Sequence, residues 1–218
     1  MTSGVLNDPY FLKSARLGFR RWSKDDLPLA RELWGDIEVT RFFGGPFSDE
    51  AISQRLQREI TRMNTHQFQY WPIYLMADNQ HAGCCGLRPY KLEDEIHELG
   101  FHLRPKYWGR GLAPEAARAA IDFAFETIGA NGLSAGHHPE NLASKKVLEK
   151  LGFQYTHDEF FGALGIDIPY YLLTRPSDTF RHDSASVRFA GDRGAGVGES
   201  VASGETMIER EHHIDRGY

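Results

Sequence analysis

The chain has 218 residues, of which 41% are hydrophobic and 25% are charged, and its formal net charge is −5. This length suits one globular domain with a buried core plus additional segments. The acidic balance argues against general nucleic-acid binding, which usually needs a basic surface. No apolar run reaches the ~18 residues that a membrane-spanning helix needs, and residues 1–15 contain no signal-peptide pattern. We therefore expect a cytoplasmic protein that binds neither membranes nor nucleic acid directly.

The two cysteines, Cys84 and Cys85, are neighbours in an apolar run. Disulfide bonds need Cα atoms roughly 5.5 Å apart, so adjacent cysteines rarely pair with each other. Two thiols are too few for a structural zinc site, and the spacing of the histidines does not suggest a metal. We expect buried, reduced thiols and no bound metal. A nucleophilic role for Cys84 in a ping-pong reaction is disfavoured because no base is evident beside it.

Composition divides the chain into three parts. Residues 1–15 are predicted to be an N-terminal extension, and residues 16–176 read as one globular domain. Residues 177–218 form a polar, Gly-rich tail with too few apolar side chains to bury a core, which predicts a flexible segment. A lid or an oligomerisation arm stays open as an alternative for this tail.

The first elements of the domain are a strand and two helices. The strand is indicated by Leu17 and Phe19. Ser23 and Asp26 have the spacing of a capping box, which predicts that a helix begins there. A second helix is predicted from Ser48, because the residues after it place apolar side chains on one face at helical spacing. These side chains belong to Ile52, Leu56, Ile60 and Met63.

A hairpin follows the second helix. Phe68–Met76 and Ala82–Leu87 are strand-like, and the polar residues between them predict a turn. Proline cannot donate to a strand ladder, so Pro72 predicts an edge strand or a bulge. Glu95–Leu103 then alternates as a further strand and leads into a glycine-containing turn.

The second half of the domain alternates helices and strands. The clearest helix in the chain follows the glycine-containing turn and ends at Gly129. Leu133–His137 is predicted as a strand, and a short helix comes after it. Phe153–Phe161 and Pro169–Thr174 complete a closing hairpin. The predicted order is β-α-α-β-β-β-α-β-α-β-β, a mixed sheet with helices on its faces.

The turn at residues 108–114 has the features of a phosphate-binding site. Gly109 and Gly111 permit positive φ angles and close approach of a ligand to the backbone. The free N–H groups and the dipole of the following helix favour an anion, and Pro114 suits the first turn of that helix. A dinucleotide site is disfavoured because Pro114 stands where a third motif glycine would be, and no Walker lysine follows Gly111. Lys106 and Arg110 could add positive charge at the rim.

Several ordered motifs make this sequence similar to the GNAT superfamily of acyl-CoA-dependent N-acetyltransferases. Trp108, Gly111 and Ala113 fall on the defined positions of its pyrophosphate motif, Gln/Arg-x-x-Gly-x-Gly/Ala, with Trp108 departing from the usual Gln or Arg. This departure resembles the RimJ/RimL-like branch, the ribosomal-protein-alanine acetyltransferases and their relatives. Four further stretches resemble that branch: Cys85–Leu87, Glu98–Phe101, Pro139–Ser144 and Val147–Phe153.

The resemblance implies an α/β GNAT fold over residues 16–176. Its sheet would be mixed and mostly antiparallel, with about seven strands, helices on both faces, and a splay between the fourth and fifth strands. Acetyl-CoA would enter that wedge, its pantetheine beside Phe101–Leu103 and Asn141, and its pyrophosphate on the turn. The implied cofactor-binding residues are Phe101, His102, Leu103, Trp108, Gly109, Arg110, Gly111, Leu112, Ala113, Pro114 and Asn141.

The same resemblance implies transfer of acetyl from acetyl-CoA to a primary amine by direct attack in a ternary complex. Ser144 is the candidate acid for the leaving thiolate, because it follows Asn141 in the Asn-x-x-Ser pattern of Rim-type enzymes, and Leu148 stands where many other relatives have a Tyr. Glu98 is the candidate base, with Glu95 and His97 as weaker alternatives. A helix-start role for Ser144 and an exposed strand-face role for Glu98 stay open.

The resemblance leaves the acceptor and the assembly open. The acceptor would be a protein N-terminus or a small-molecule amine, and the loops 35–47 and 160–168 would select it. A homodimer is an option that the sequence does not decide. The alternative function is a non-catalytic acyl-CoA-binding sensor or partner protein.

Overall fold

The computed structural model describes residues 8–176, so the predicted tail lies outside the described residues. The strands are β1 (Leu12–Lys13), β2 (Leu17–Phe19), β3 (Tyr70–Leu75), β4 (Gln80–Lys91), β5 (Ile96–Leu103), β6 (Gly132–Gly136), β7 (Gln154–Phe161) and β8 (Ile166–Thr174). The helices are α1 (Leu27–Trp34), α2 (Ile37–Thr40), α3 (Asp49–His66), α4 (Leu112–Phe123) and α5 (Leu142–Leu151). The mixed α/β prediction is confirmed.

The strands form one sheet in the order β1-β2-β3-β4-β5-β6-β8-β7. All described pairs are antiparallel except β5 and β6, which are parallel. Their pairing runs from Ile96 with Gly132 to Glu98 with Ser134, and the second half of β5 no longer pairs with β6. The predicted splay between the fourth and fifth predicted strands is therefore confirmed, and it opens a wedge beside residues 99–103.

Local sequence signals position the helices. Ser23 and Asp26 form the predicted capping box, and Ser48 caps α3 by accepting a hydrogen bond from the Ala51 N–H at 3.2 Å. The predicted helix after the glycine-containing turn begins at Leu112 as α4. It ends through a π turn over residues 124–128 and a left-handed Gly129. The short helix α2 lies in the segment that was predicted to be a loop.

Two apolar clusters fill the space between the sheet and its helices. One cluster packs α4 and α5 against side chains of the sheet, including the fully buried Trp71, Leu87 and Leu133. The other packs α1 and α3 against Tyr70 and Cys84. The burial of these large side chains, about 1.5–3 kcal/mol each in transfer free energy, holds the sheet between its helices.

Two features of the sheet differ from the sequence prediction. Pro72 lies in β3, which is internal rather than an edge, with a register shift immediately after it between Ile73 and Tyr74. The Pro72 carbonyl accepts from the Arg20 N–H, so Pro72 faces the residue that follows the end of β2. Residues 12–13, predicted to belong to an extension, add β1 as an eighth strand.

Candidate active site

The site is a cavity of about 360 Å³ at the open end of β5. Its walls are formed by the end of β5, the turn after it, the first turns of α4 and α5, and the α2 segment, which here means residues 37–43. The predicted residues that line it are Phe101, His102, Leu103, Trp108, Gly109, Gly111, Leu112, Ala113, Pro114, Asn141 and Ser144. The structure thus brings together residues 101–103, residues 108–114 and the start of α5, which are up to about 40 residues apart in the sequence.

The glycine turn exposes main-chain donors toward the cavity. Gly109 and Gly111 have φ angles of 70° and 72°, so both occupy the left-handed region that favours glycine. Gly111 is the residue before α4, and the first N–H groups of that helix have no partner within the helix. A side-chain carbon at Gly109 would meet no atom within 4 Å, so space for an anion remains at this turn.

Trp108 connects the turn to the end of β5. Its indole Nε1 donates a hydrogen bond of 2.7 Å to the carbonyl oxygen of Leu103, and its ring remains 42% exposed. The guanidinium of Arg41 lies 5.8 Å from the ring centroid, so the α2 segment also approaches Trp108. This hydrogen bond gives a physical role to the residue that departs from the motif.

The main chain of β5 faces the wedge at alternate residues. The Arg104 N–H donates to the Ala82 carbonyl at 3.0 Å, so even-numbered residues here bond toward β4. Because antiparallel strands alternate, the N–H and C=O groups of Phe101 and Leu103 point away from β4, toward the region that β6 has left. An extended ligand could pair with these groups like an added strand.

The segment before β2 holds the outside of the turn. Ser14 Oγ and the Arg16 N–H donate to one oxygen of Glu115 at 2.7 and 2.8 Å, and Arg16 Nε donates to the other at 2.6 Å. Arg16 Nη1 also donates to the Arg110 carbonyl at 3.0 Å. These contacts fix the backbone of the turn, and sequence reasoning missed them because no local pattern links residues about 100 positions apart.

The two basic residues at the predicted rim lie near one buried ring. The Lys106 ammonium is 4.9 Å and the Arg110 guanidinium 5.6 Å from the centroid of Tyr107. Arg110 does not line the cavity, and its carbonyl rather than its side chain contributes to the turn.

Asn141 and Ser144 stand together at the start of α5. The side-chain oxygen of Asn141 accepts from the Ser144 N–H at 3.1 Å and caps the helix. Ser144 Oγ has no hydrogen-bond partner among residues 8–176, and the side chain lines the cavity. Leu148 is buried in the apolar core, one turn further on, so no acid stands at that position.

Glu98 does not line the cavity. It occupies the last residue of β5 that pairs with β6, and its carboxylate accepts a hydrogen bond of 3.0 Å from the hydroxyl of Tyr70. Burial raises the pKa of Tyr70 well above 10, so this hydroxyl stays a donor. Gly100 makes the arrangement possible, because a Cβ there would overlap the Tyr70 hydroxyl.

The alternatives to Glu98 lie in different surroundings. His97 is buried near the start of β5, and its ring is 4.8 Å from that of Phe68. Burial lowers the pKa of His97 below 6.5. Glu95 has a positive φ of 55° in the turn before β5. Neither side chain lines the cavity.

Both cysteines are fully buried thiols. Cys84 and Cys85 have no exposed surface and form no disulfide. Burial raises the pKa of Cys84 to about 12, so a thiolate is strongly disfavoured there. The prediction that Cys84 is buried is confirmed.

Over residues 8–176, no three His, Cys, Asp or Glu side chains converge as metal ligands would. Within the same range, every helix is too short or too polar to cross a bilayer.

The fold and the site define a class of protein. A sheet that splays beside exposed strand amides, next to a glycine turn at a helix start, is an arrangement suited to an extended ligand that ends in a diphosphate. The acetyltransferase (GNAT) domain family matches residues 16–154, and the chain belongs to this family. It is an acetyl-CoA-dependent acyltransferase, so the predicted family and enzyme class are confirmed.

Relatives and solved structures agree with this assignment. The N-acetyltransferase p20 of Bacillus licheniformis is 30% identical over 145 residues, covering 66% of this chain and 82% of the relative. A GNAT acetyltransferase structure from Bacillus anthracis has a TM-score of 0.66 at 24% identity, covering 75% and 97% of the two chains. RimL, a ribosomal L7/L12 alpha-N-protein acetyltransferase solved with coenzyme A, gives 0.64 at 16%, covering 74% and 95%. The two structures share the fold with this chain.

Proposed function

We propose that this protein transfers acetyl from acetyl-CoA to a primary amine by direct attack in a ternary complex. The observation that carries the proposal is the continuity of one cavity from the glycine turn at Gly109 and Gly111 to the main chain of Phe101 and Leu103. A thioester carrier bound along this path brings its acyl carbon to the end of the wedge, where an amine can be held at reacting distance.

The shape of the cavity supports a specific orientation of coenzyme A. Its diphosphate would occupy the turn, where Gly109 leaves open space and the first N–H groups of α4 are free. Its pantetheine amides would pair with the main chain of Phe101 and Leu103. The side-chain amide of Asn141 would donate to the pantetheine, since its oxygen already caps α5.

The reaction needs three proton-handling functions. The amine must lose a proton, the thioester carbonyl must be polarised, and the departing thiolate must gain a proton. A main-chain N–H of β5 that faces the wedge would polarise the carbonyl oxygen. Ser144 Oγ, which lines the cavity, would donate to the thiolate as the C–S bond breaks. Glu98 would accept the amine proton through water, because its carboxylate lies outside the cavity wall.

The acceptor is a protein N-terminus or a small-molecule amine. RimL acts on the α-amino group of a ribosomal protein by its description, and the RimJ/RimL-like resemblance brings that acceptor class to this chain as a candidate. Phe42 and Phe43, which follow α2, line the cavity, so the acceptor would approach along an apolar wall.

We also propose a homodimer as the assembly, to be tested by light scattering.

A thiol-release assay tests the proposed function. Purified protein is mixed with acetyl-CoA and a panel of amines and Ala- or Ser-starting peptides, and free thiol and acetylated product are followed by absorbance and mass spectrometry. The proposal expects release that depends on an acceptor and is lost in Gly111→Asp. Saturable binding of acetyl-CoA with no acetylated product from any acceptor class would contradict transfer and favour a sensor.

A further inference from the structure

His102 has an unusual environment on one edge of its ring. The indole Nε1 of Trp34 donates to His102 Nδ1 at 3.2 Å, and the Cys84 sulfur lies 3.8 Å from the same nitrogen. Since the pKa of Cys84 is raised to about 12, its thiol keeps its proton near neutral pH. A protonated thiol can donate to Nδ1 or accept from it, whereas the indole N–H can only donate.

The indole donor at Nδ1 determines the protonation of the ring. A neutral imidazole has one donor and one acceptor nitrogen, and an indole N–H can only donate. Nδ1 must then be the acceptor, which places the single ring proton on Nε2. The doubly protonated form is disfavoured, because burial and the positive charges of Arg55 on α3 and Arg88 on β4 lower the pKa of His102 well below 6.5.

The position of the ring directs Nε2 toward the cavity. The Nδ1 edge lies against Trp34 and Cys84, both of which are fully buried, whereas His102 itself is only half-buried and lines the cavity. The opposite edge of the ring is therefore the part that reaches the cavity. The ring of Phe43, another lining residue, packs 5.0 Å from it.

We propose that His102 is a catalytic hydrogen-bond donor whose Nε2–H binds the oxygen of the acetyl-CoA thioester. This inference rests on the proposed function. As the amine attacks, a C–N bond forms, the carbonyl oxygen gains negative charge, and the hydrogen bonds from Nε2–H and the main-chain N–H of β5 strengthen. The C–S bond then breaks, the oxygen regains its double bond, and His102 keeps its proton throughout. His102 is accordingly not the general base.

Substitution separates a donor from a base. His102→Gln keeps an N–H donor but cannot titrate, whereas His102→Ala keeps neither property. We expect His102→Gln to retain kcat within about tenfold and the acid limb of the pH profile, and His102→Ala to lose on the order of 10²-fold in kcat with little change in KM for acetyl-CoA. His157→Gln, on the exposed strand β7, is the matched control. Equal loss in both His102 variants, or full activity of His102→Ala, would overturn the proposal.

A second measurement does not depend on turnover. In the ¹⁵N spectrum of labelled protein, His102 should carry its proton on Nε2 between pH 6 and 8. Its Nε2–H resonance should shift on adding acetyl-CoA and respond differently to coenzyme A, which lacks the thioester oxygen. A proton on Nδ1, or identical responses to the two ligands, would refute the assignment even if acetyl transfer is observed. If transfer fails but the two responses differ, only the proposed function is contradicted.

Discussion

Arg16 and Glu115 are 99 residues apart and form a bidentate ion pair, with Arg16 Nε and Nη2 each 2.6 Å from the same carboxylate oxygen. The pair joins the segment before β2 to the first turn of α4. The remaining guanidinium nitrogen, Nη1, donates to the Arg110 carbonyl inside the glycine turn. Arg16 thereby holds that carbonyl, although it lies outside every recognisable motif.

Loss of Arg16 should weaken cofactor binding. In Arg16→Ala, the Arg110 carbonyl loses its partner and the turn can rotate an acceptor toward the diphosphate. We expect Kd for acetyl-CoA to rise about tenfold, which equals about 1.4 kcal/mol, with kcat at saturation within about twofold. Calorimetry and steady-state kinetics measure these values. Arg118→Ala, which removes an exposed cation on α4, is the control. An equal effect in that variant would indicate that a general loss of positive charge, and not the contact with the Arg110 carbonyl, weakens binding.

Glu115 should make the free energy of unfolding depend on pH. Burial by itself would raise the pKa of Glu115, but the hydrogen bonds from Ser14 and Arg16 and the charge of Arg16 outweigh it and lower the pKa below 4.5. A carboxylate with a lowered pKa in the folded state stabilises the fold above its unfolded pKa, and this stabilisation is lost as pH falls through the folded pKa.

Urea denaturation of Glu115→Gln measures that contribution. We expect the free energy of unfolding to fall by about 1 kcal/mol at pH 7, because charge-assisted hydrogen bonds are replaced by neutral ones and Arg16 is half exposed. The difference from the wild type should shrink below about pH 4. A difference that stays constant from pH 7 to pH 3 would exclude a contribution from the charge of Glu115.

Two substitutions of Trp108 should separate the contribution of the indole ring to cofactor binding from that of its N–H group. Trp108→Phe keeps a ring but leaves the Leu103 carbonyl without its donor, so the end of β5 is less fixed. We expect KM for acetyl-CoA to rise about threefold to tenfold, in line with the loss of one hydrogen bond. Trp108→Gln restores an N–H donor and should recover part of this loss. A Gln variant no better than Phe would mean that the ring matters and the hydrogen bond does not.

Ser144 should affect turnover more than binding. Its hydroxyl lines the cavity and has no partner among the described residues, whereas its main-chain N–H supports the helix cap. Ser144→Ala removes only the hydroxyl, so we expect kcat to fall by on the order of 10²-fold while Kd for acetyl-CoA stays within about twofold. Ser144→Thr, which retains a hydroxyl, is the matched control. Unchanged turnover in Ser144→Ala would remove this residue from the mechanism.

Much of the fold follows from local patterns in the sequence. Ser48 caps α3, Gly129 ends the helix that begins at Leu112, and the alternation of Glu95–Leu103 corresponds to β5. These elements are predictable because each depends on periodicity and on residues at its own ends. Pro72 predicted an edge strand or a bulge; β3 is internal, and the register irregularity between Ile73 and Tyr74 agrees with the second alternative.

The site is less predictable because it depends on long-range contacts. The glycine turn could be located from the sequence, since φ angles restrict residue type locally. The pairing of Trp34 with His102 joins residues 68 positions apart, and neither position carries a local signal for the other. Glu98 was placed on the right strand, but its bond to Tyr70 depends on the register between β3, β4 and β5.

Titration calorimetry with acetyl-CoA, run on the wild type and on Gly111→Asp, tests the central claim most directly. If main-chain amides of the turn bind the diphosphate, the wild type will give a saturable isotherm with one site per chain. The variant, whose positive φ is strained for a non-glycine residue and whose new side chain would start 3.7 Å from Arg16 Nη2 and disturb the contacts that hold the turn, will bind at least tenfold more weakly. No saturable heat from the wild type at millimolar acetyl-CoA, or equal affinity in the two proteins, would contradict the account.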